Sequence, residues 1–260
     1  GTRIGRKTPD REIMNPGNRH LRDKLEGLAD LAPGLPRRTM VDGTVAQVSL
    51  VPFYDRTLDI MVLTHPHADH VTGLIEVLKQ YRVKQVYLTG AHHNTAEYIA
   101  FLELLAAHEE TSIIRANQPR TLTLGPDTTL QFLYPHFSPQ SLQAPLFAEN
   151  PNNTSIVLRL THKDESILLT GDIEHEVEEY LLEHGVPLAA DILKVPHQGS
   201  SSSSTEAFLR AVGPLWAIIT VGTDNDYGHP HQEVLSRLDA LNIPYQRTDQ
   251  VGDITIILPS

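Results

Sequence analysis

Cysteine is absent from the 260-residue chain, and this absence removes two kinds of chemistry. Without thiols the protein has no disulfides, and it cannot hold a metal through thiolate ligands. A metal site must therefore be built from imidazoles and carboxylates. Such donors favour Zn²⁺, Mn²⁺ or iron over copper–thiolate or iron–sulfur chemistry.

Long apolar runs and an excess of positive charge are missing as well. No stretch approaches the roughly 20 apolar residues of a membrane span, so we expect no direct membrane insertion. The formal net charge of −11 excludes nucleic-acid binding by bulk electrostatics. A polyanionic substrate would need a local basic or metal site.

The pattern of apolar residues predicts two regions. Residues 1–40 are polar, with Gly and Pro scattered through them, and we expect an irregular or disordered segment. Residues 41–260 have the patterning of a folded domain. Within that domain, residues 58–116 alternate as β–α–β–α–β, which predicts parallel strands at the centre of a sheet. Hairpins and further helices follow, and the last predicted strand covers residues 253–259.

The stretch LTHPHADH at residues 63–70 places three histidines and one aspartate directly after an apolar run. His65 and His67 are two residues apart on an extended turn that a proline stiffens, so both side chains can point at one metal. Asp69 and His70 lie where the chain turns into the next helix and point elsewhere. Two ligand pairs from one loop suit two neighbouring metals.

Further candidate ligands follow the ends of other predicted strands. Asp172 follows a strand that ends near residue 170 and could bridge two metals, although an aspartate at this position is also a common helix N-cap. His197 follows a strand at about residues 191–195. Ligand sites in open α/β layers form beyond the carboxyl ends of the strands, so these segments lead towards one sheet edge.

Two later loops hold candidate substrate contacts. Ser200 and Ser201 lie near a predicted helix start, where hydroxyl and backbone N–H groups suit an anion such as phosphate. The alternative is a serine-rich linker with Ser204 as the helix N-cap. His229 is placed to donate to a substrate oxygen or to orient a ligand, whereas we assign His231 to the start of the following helix.

Together these residues resemble a known family. THPHADH matches the HxHxDH signature of the metallo-β-lactamase superfamily, whose fold is an α/β four-layer αββα sandwich. Five further strings are similar to the C-terminal metallo-β-lactamase-like domain of the ComEC/Rec2 competence proteins, which take up DNA. They are NPNNTSIVLRL, LLTGDIE, DILKVPHQGS, YGHPHQEVLSRL and YQRTDQVGDITI. The resemblance covers roughly residues 45–258.

The resemblance implies one or two divalent metal ions, Zn²⁺ or Mn²⁺, and a set of ligands for them. His65 and His67 would bind the first metal, and Asp69 and His70 the second. Asp172 would bridge the two metals, and His197 would complete the second site.

The implied reaction is the hydrolysis of phosphodiester bonds in DNA by a metal-bound hydroxide. Asp69 or Asp172 would hold the water and accept its proton, and His229 would help to stabilise the charge of the transition state. The implied setting is a soluble domain that is attached to, or associated with, a channel protein of the bacterial plasma membrane.

Two features depart from the family pattern. Many members have a histidine as third ligand of the first metal, but this chain has Asn152–Ser155 there, where Asn153 could offer an amide oxygen to metal or substrate. We therefore expect a weaker first site, with Mn²⁺ rather than tight Zn²⁺. The family's first strand pair is represented only by MVDGTV at residues 40–45, so we expect a sandwich that lacks its usual first strands or in which residues 1–40 replace them.

The function that we expect is a metal-dependent nuclease connected with DNA uptake, and two alternatives stay open. One is a small-molecule metallo-hydrolase, such as a lactonase or a nucleotide phosphodiesterase, that uses the same site. The other is a non-catalytic domain with a degenerate metal site that binds DNA or a partner protein.

Overall fold

Two β-sheets and the helices beside them form the part of the chain that the computed structural model describes, namely residues 39–41, 56–135 and 149–258. The strands are β1 (Thr39–Val41), β2 (Thr57–Val62), β3 (Arg82–Leu88), β4 (Ser112–Arg115), β5 (Arg120–Gly125), β6 (Thr128–Tyr134), β7 (Val157–His162), β8 (Glu165–Leu169), β9 (Ile192–Lys194), β10 (Trp216–Ile219) and β11 (Tyr245–Arg247). The helices are α1 (Ala68–Gln80), α2 (Ala96–Ala106), α3 (His175–Glu183), α4 (Glu206–Val212), α5 (Gln232–Ala240) and α6 (Thr248–Val251), and short 3-10 turns cover Pro151–Thr154 and Pro196–Gly199.

The first sheet has the order β1-β2-β3-β4, and all of its strands are parallel. Helix α1 connects β2 to β3, and α2 connects β3 to β4. Crossover helices of this kind are what parallel strands require, and they confirm the predicted β–α–β–α–β order.

The second sheet has the order β11-β10-β9-β8-β7-β6-β5 and is mixed. Strands β5 to β8 form antiparallel hairpins, whereas β8 to β11 run parallel to one another. The hairpin half matches the two predicted hairpins, and the parallel half is built through α3, α4 and α5.

Alternating burial along the strands produces four layers. On β2, Ile60 and Val62 point into the space between the sheets, where they share a core with Phe132 of β6 and Leu158 of β7. The neighbouring Met61 points the other way and packs with residues of α1 and α2. A third core joins the outer face of the second sheet to α3, α4 and α5. The predicted αββα sandwich is therefore confirmed.

Three local expectations are wrong. Helix α3 begins at His175 with Glu174 at its N-cap position, so Asp172 is not the cap. The N-cap of α4 is Thr205, whose hydroxyl accepts a hydrogen bond from the Phe208 N–H, and not Ser204. Residues 253–258 form no strand, and the last strand of the described residues is β11, which pairs with β10.

The predicted irregular segment 1–40 lies outside the described residues, apart from two residues of β1. The expectation of missing first strands also falls mainly on residues outside them, although β1 does extend the first sheet beside β2. Among the described residues, no helix has the length and apolar character that crossing a membrane requires.

Candidate metal centre

The His65–His70 loop lies where the two sheets meet. It follows β2 directly, and the carbonyl of Thr64 accepts a hydrogen bond of 3.1 Å from the N–H of Ile156, at the start of β7. The helix that follows, α1, already includes Asp69 and His70. The first sheet thus carries the histidines to a point where residues of the second sheet can reach them.

Three buried side chains from both sheets converge at this point. The ligand atoms of His65, His70 and Asp172 all lie within 4.8 Å of one another. His70 Nε2 is 3.2 Å from Asp172 Oδ2, and the rings of His65 and His70 are 4.1 Å apart. Because Asp172 follows β8, it is the second sheet that completes the cluster.

Hydroxyl groups fix the orientation of His65. Its Nδ1 lies 3.1 Å from the hydroxyl of Thr64 and 3.2 Å from that of Ser155. The hydroxyl of Ser155 also accepts the backbone N–H of Asp172 at 3.0 Å. A hydrogen bond at one ring nitrogen holds a metal-ligating histidine in place and directs the other nitrogen to the metal.

His67 stands beside His65 in a ligand-like arrangement. His67 Nδ1 lies 3.1 Å from His65 Nε2. Two nitrogens bound to one tetrahedral Zn²⁺ at its usual bond length lie roughly 3.3 Å apart. Burial lowers the pKa of His67, so its ring is neutral and has a lone pair to offer at neutral pH.

The donor set fits a divalent cation. Burial by itself would raise the pKa of Asp172, but the neighbouring His70 and His65 hold it well below its usual range. Asp172 is therefore an ionised carboxylate, and its Oδ1 is buried without a hydrogen-bond partner in the described part of the chain. Imidazole nitrogens together with a buried carboxylate are typical ligands of Zn²⁺ or Mn²⁺.

Asp69 lies at the exposed rim of the cluster. Its Oδ2 is 3.5 Å from His70 Nε2 and accepts a hydrogen bond of 2.8 Å from the Gln198 side chain. Although burial acts to raise the pKa of Asp69, the hydrogen bond and charge of His70 lower it to about 2. Asp69 thus links the first loop to the loop that carries His197.

His197 is held apart from this cluster. Its Nδ1 is 3.1 Å from Glu174 Oε1, and its Nε2 is 3.4 Å from the Asn152 amide. The backbone of His197 has a φ of 47°, a left-handed conformation that costs free energy in a non-glycine residue. His197 is therefore oriented by Glu174, and its place as a metal ligand stays a prediction.

The Asn152–Asn153 turn is tied to the start of α3. The Asn153 side chain accepts the N–H of Glu174 at 2.8 Å and donates to Glu176 at 3.1 Å. The Asn152 amide donates to Glu174 at 2.9 Å. The Asn153 oxygen is thus engaged in a structural hydrogen bond, and it is not placed as the third ligand of the predicted first metal site.

Ser200 and Ser201 lie in a loop that its own hydrogen bonds hold in shape. The hydroxyl of Ser200 is 2.9 Å from that of Ser202, and the N–H of Ser201 donates to His231 Nδ1 at 2.8 Å. The same loop is anchored by the buried Glu178, which accepts the N–H groups of Ser204 and Thr205. Ser201 is exposed, so its hydroxyl is accessible to a substrate.

His229 faces the His197 loop from the side of α5. Its ring lies 5.4 Å from that of His197 and 4.9 Å from that of His231. Burial, together with these two histidines, lowers the pKa of His229 to about 4. His229 Nδ1 is buried and makes no hydrogen bond within the described residues. A neutral imidazole with an unused nitrogen is therefore available beside the centre.

Sequence reasoning missed three residues of this site. Glu174 stands two residues after Asp172, Ser155 follows the Asn pair, and Lys194 stands three residues before His197. Lys194 Nζ lies 4.0 Å from Asp172 Oδ1. Only the close spacing to a predicted ligand could have indicated Glu174 and Lys194, because carboxylates and lysines are common on any surface.

Comparison with known proteins agrees with this geometry. A family model described as Metallo-beta-lactamase superfamily matches residues 53–219. ComE operon protein 3 of Bacillus subtilis (strain 168) is 34% identical over 209 residues, which cover 79% of this chain and 26% of that protein. Competence protein ComA of Neisseria gonorrhoeae is 30% identical over 243 residues, which cover 88% of this chain and 30% of that protein.

The chain thus spans less than a third of the length of these relatives. Among solved structures, Zn²⁺-bound PqqB from Methylobacterium extorquens aligns with a TM-score of 0.46 and 11% identity, over 84% of this chain and 83% of that one. The chain belongs to the metallo-β-lactamase superfamily, and the relatives that it matches are ComEC-type competence proteins.

Proposed function

We propose that this metallo-β-lactamase domain is a divalent-metal-dependent phosphodiesterase that cleaves DNA in connection with DNA uptake. The observation that carries the proposal is the buried His65–His70–Asp172 cluster, to which both sheets contribute. The names of the relatives, which are competence proteins, support DNA as the substrate. From the resemblance to the ComEC/Rec2 proteins, we further propose that the domain works attached to a channel protein of the bacterial plasma membrane.

The chain's own residues supply the ligands and the surroundings of the centre. His65, His67, His70 and Asp172 would hold the metal, with Asp69 and His197 as further candidates. When bound, a divalent metal polarises phosphoryl oxygens and lowers the pKa of a coordinated water to about 7. Asp69, ionised and exposed at the rim, accepts a hydrogen bond from an incoming water and orients it.

His229 is suited to donate a hydrogen bond to the substrate as an uncharged imidazole. With a pKa of about 4, its imidazole carries no charge at neutral pH, so one ring nitrogen can donate to a phosphate oxygen and strengthen that bond as charge develops. The exposed hydroxyl of Ser201 lies on the same loop system and offers a second donor.

An exposed aromatic ring favours nucleic acid over a small substrate. Tyr227 is 77% exposed, and its ring stacks on that of His229 with centroids 5.7 Å apart. Bases of single-stranded nucleic acid stack on such rings, and each stacked base contributes about 1–3 kcal/mol. This site therefore offers a base platform directly beside the proposed phosphate contact.

The test is cleavage of single-stranded and double-stranded DNA by the metal-loaded chain, with bis-p-nitrophenyl phosphate and a simple lactone as small-molecule substrates. We expect Mn²⁺- or Zn²⁺-dependent DNA cleavage, reduced at least 100-fold by His67→Ala or Asp172→Ala. Asp164→Ala, which removes an exposed aspartate from the β7–β8 turn, is the matched control and keeps wild-type activity. Cleavage of the lactone alone, or of no substrate at all, would contradict the proposal.

The engaged Asn153 amide favours one alternative, a non-catalytic domain with a degenerate site. The number of metal ions bound per chain distinguishes the proposed enzyme from a non-catalytic domain. A chain that binds less than one metal ion yet binds DNA with full affinity in a chelator would be a binding module.

A further inference from the structure

Lys194 is a largely buried lysine beside the candidate metal centre. Its side chain is 11% exposed, and Nζ makes no hydrogen bond with any described residue. Among the described residues it forms an ion pair with Asp172, whose Oδ1 lies 4.0 Å from Nζ and is likewise buried without a hydrogen-bond partner. A buried ammonium group with no hydrogen bonds carries a high desolvation cost, which suggests that it serves the site.

Neighbouring strands bring the two groups together. Lys194 ends β9 and pairs in register with Leu169, the last residue of β8, three positions before Asp172. The Thr170 hydroxyl donates to the Lys194 carbonyl at 2.8 Å, which fixes the backbone there. The lysine is therefore held beside Asp172 by the sheet itself.

The two oxygens of Asp172 face different partners. Oδ2 is 3.2 Å from His70 Nε2, within the cluster of candidate ligands. Oδ1 faces Lys194. A second metal that Asp172 bridged through its other oxygen would have to bind Oδ1. Here the second oxygen already has a positive charge beside it, and that charge repels another cation.

A second metal would also be short of other ligands. The Asn153 amide is bound to the Glu174 N–H and to Glu176. His197 is bound to Glu174 and faces Asn152. Apart from the Asp69 carboxylate at the rim, the described residues thus place one compact set of donors beside one lysine.

We propose that the centre binds a single divalent cation and that the ammonium group of Lys194 supplies the second positive charge, next to Asp172 Oδ1. This inference rests on the proposed metal-dependent function and specifies it further. Lys194 is a positioning residue in this account. It neutralises and orients the carboxylate, and it keeps a second metal out.

The test is metal stoichiometry, measured on the 260-residue chain. The protein is saturated with Mn²⁺ or Zn²⁺ and desalted, metal per chain is measured by plasma mass spectrometry, and binding is followed by calorimetry. We expect one equivalent for the wild type. Lys194→Met should admit a second equivalent, with affinity for it raised at least tenfold, whereas Lys194→Arg should keep one.

The matched control is Lys84→Met. Lys84 also pairs with an aspartate, since its Nζ is 2.7 Å from Asp59 Oδ1, but this pair is exposed and remote from the centre. The Lys84→Met variant should bind one equivalent of metal, as is expected for the wild type. If Lys194→Met fails to fold, Lys194→Gln replaces it. The paramagnetic resonance spectrum of the wild type with Mn²⁺ gives an independent answer, namely six lines for one ion against the signal of a coupled pair.

Two tightly bound ions in the wild type would overturn the inference while leaving the metal-dependent function intact. An unchanged single equivalent in a folded Lys194→Met variant would overturn the role of Lys194. If the wild type binds no metal, both the inference and the proposed function fail.

Discussion

At the residue scale, the site depends on side chains that hold other side chains. The Ser155 hydroxyl contacts the ring of His65 and accepts a hydrogen bond from the N–H of Asp172. The carboxylate of Glu174 accepts hydrogen bonds from the side chains of Asn150, Asn152 and His197. Such partners of ligands commonly change metal affinity by about 10–100-fold when removed. They are as much a part of the centre as the histidines.

Glu174 gives a prediction about acid stability. The hydrogen bond with His197 is the main reason that the pKa of Glu174 falls from 4.5 to about 2. Its folded-state pKa is depressed, so its contribution is full above pH 4.5 and is lost as the pH falls towards 2. A shift of this size corresponds to roughly 3 kcal/mol. We expect Glu174→Gln to remove most of that stability at pH 7.

The measurement is urea unfolding of the metal-free protein at several pH values. Between pH 4.5 and 2 the stability of the variant should fall less steeply than that of the wild type. Glu233→Gln, which neutralises an exposed carboxylate in the first turn of α5, is the control and should behave as the wild type. Parallel curves for Glu174→Gln and the wild type would contradict the assigned role.

At the scale of elements, the loop after β9 is fitted closely to the start of α5. Gly199 has a φ of +82°, and a Cβ there would lie 2.5 Å from the Cβ of Pro230. The N–H of His231 donates to the Gly199 carbonyl at 2.9 Å. This contact fixes His197, on one element, against His229, on the other.

The Gly199→Ala substitution should therefore destabilise the protein twice over. A left-handed alanine costs about 1–2 kcal/mol, and the clash with Pro230 adds about 1–3 kcal/mol. Gly185→Ala is the matched control, because its φ is +61° and an added methyl group would have nothing within 4 Å of it. Chemical denaturation should show that Gly199→Ala loses more stability than Gly185→Ala, and equal losses would rule out the close fit.

The pattern of each segment predicted its type well but its ends less well. Apolar periodicity is strong in α1, and the three strands expected within residues 58–116 all form, as β2, β3 and β4. Asp172 has the residue type of a helix N-cap, but α3 begins only at His175 and the Asp172 side chain lies in the cluster with His65 and His70. The segment 253–258 has a strand-like composition but forms no strand, whereas β11, which the sequence pattern did not indicate, is the edge strand beside β10.

At the scale of the whole molecule, the centre exists only because two sheets are packed face to face. His65 and His70 come from the first sheet and Asp172 from the second. Leu158, which is fully buried, lies in the core between the sheets, with Ile60 and Phe132. The packing of that core sets the distance between the two groups of ligands.

Truncation in this core should affect stability and site together. We expect Leu158→Ala to lower the free energy of unfolding by about 2–5 kcal/mol, because it leaves a cavity between the sheets. Metal affinity should fall as well. Leu215→Ala, which removes a leucine that is 42% exposed, should change stability by less than about 0.5 kcal/mol. Calorimetry gives both quantities, and a Leu158→Ala variant as stable as the Leu215→Ala control would contradict the prediction.

The sequence by itself determined the family, the order of most elements and the residues able to bind a metal. It did so because HxHxDH is a compact local motif and because apolar periodicity reports which faces are buried. The tertiary structure decided which of these candidate residues contact one another. It brought His65 and His70 to Asp172, bound His197 and the Asn153 amide to the start of α3, and buried Lys194 beside Asp172. The contact between the Asn153 amide and α3 spans 21 positions along the chain, and that between His70 and Asp172 spans 102. Local sequence patterns do not report pairs so far apart. The packing of the two sheets brings His70 to Asp172, and the pairing of β8 with β9 brings Lys194 to Asp172.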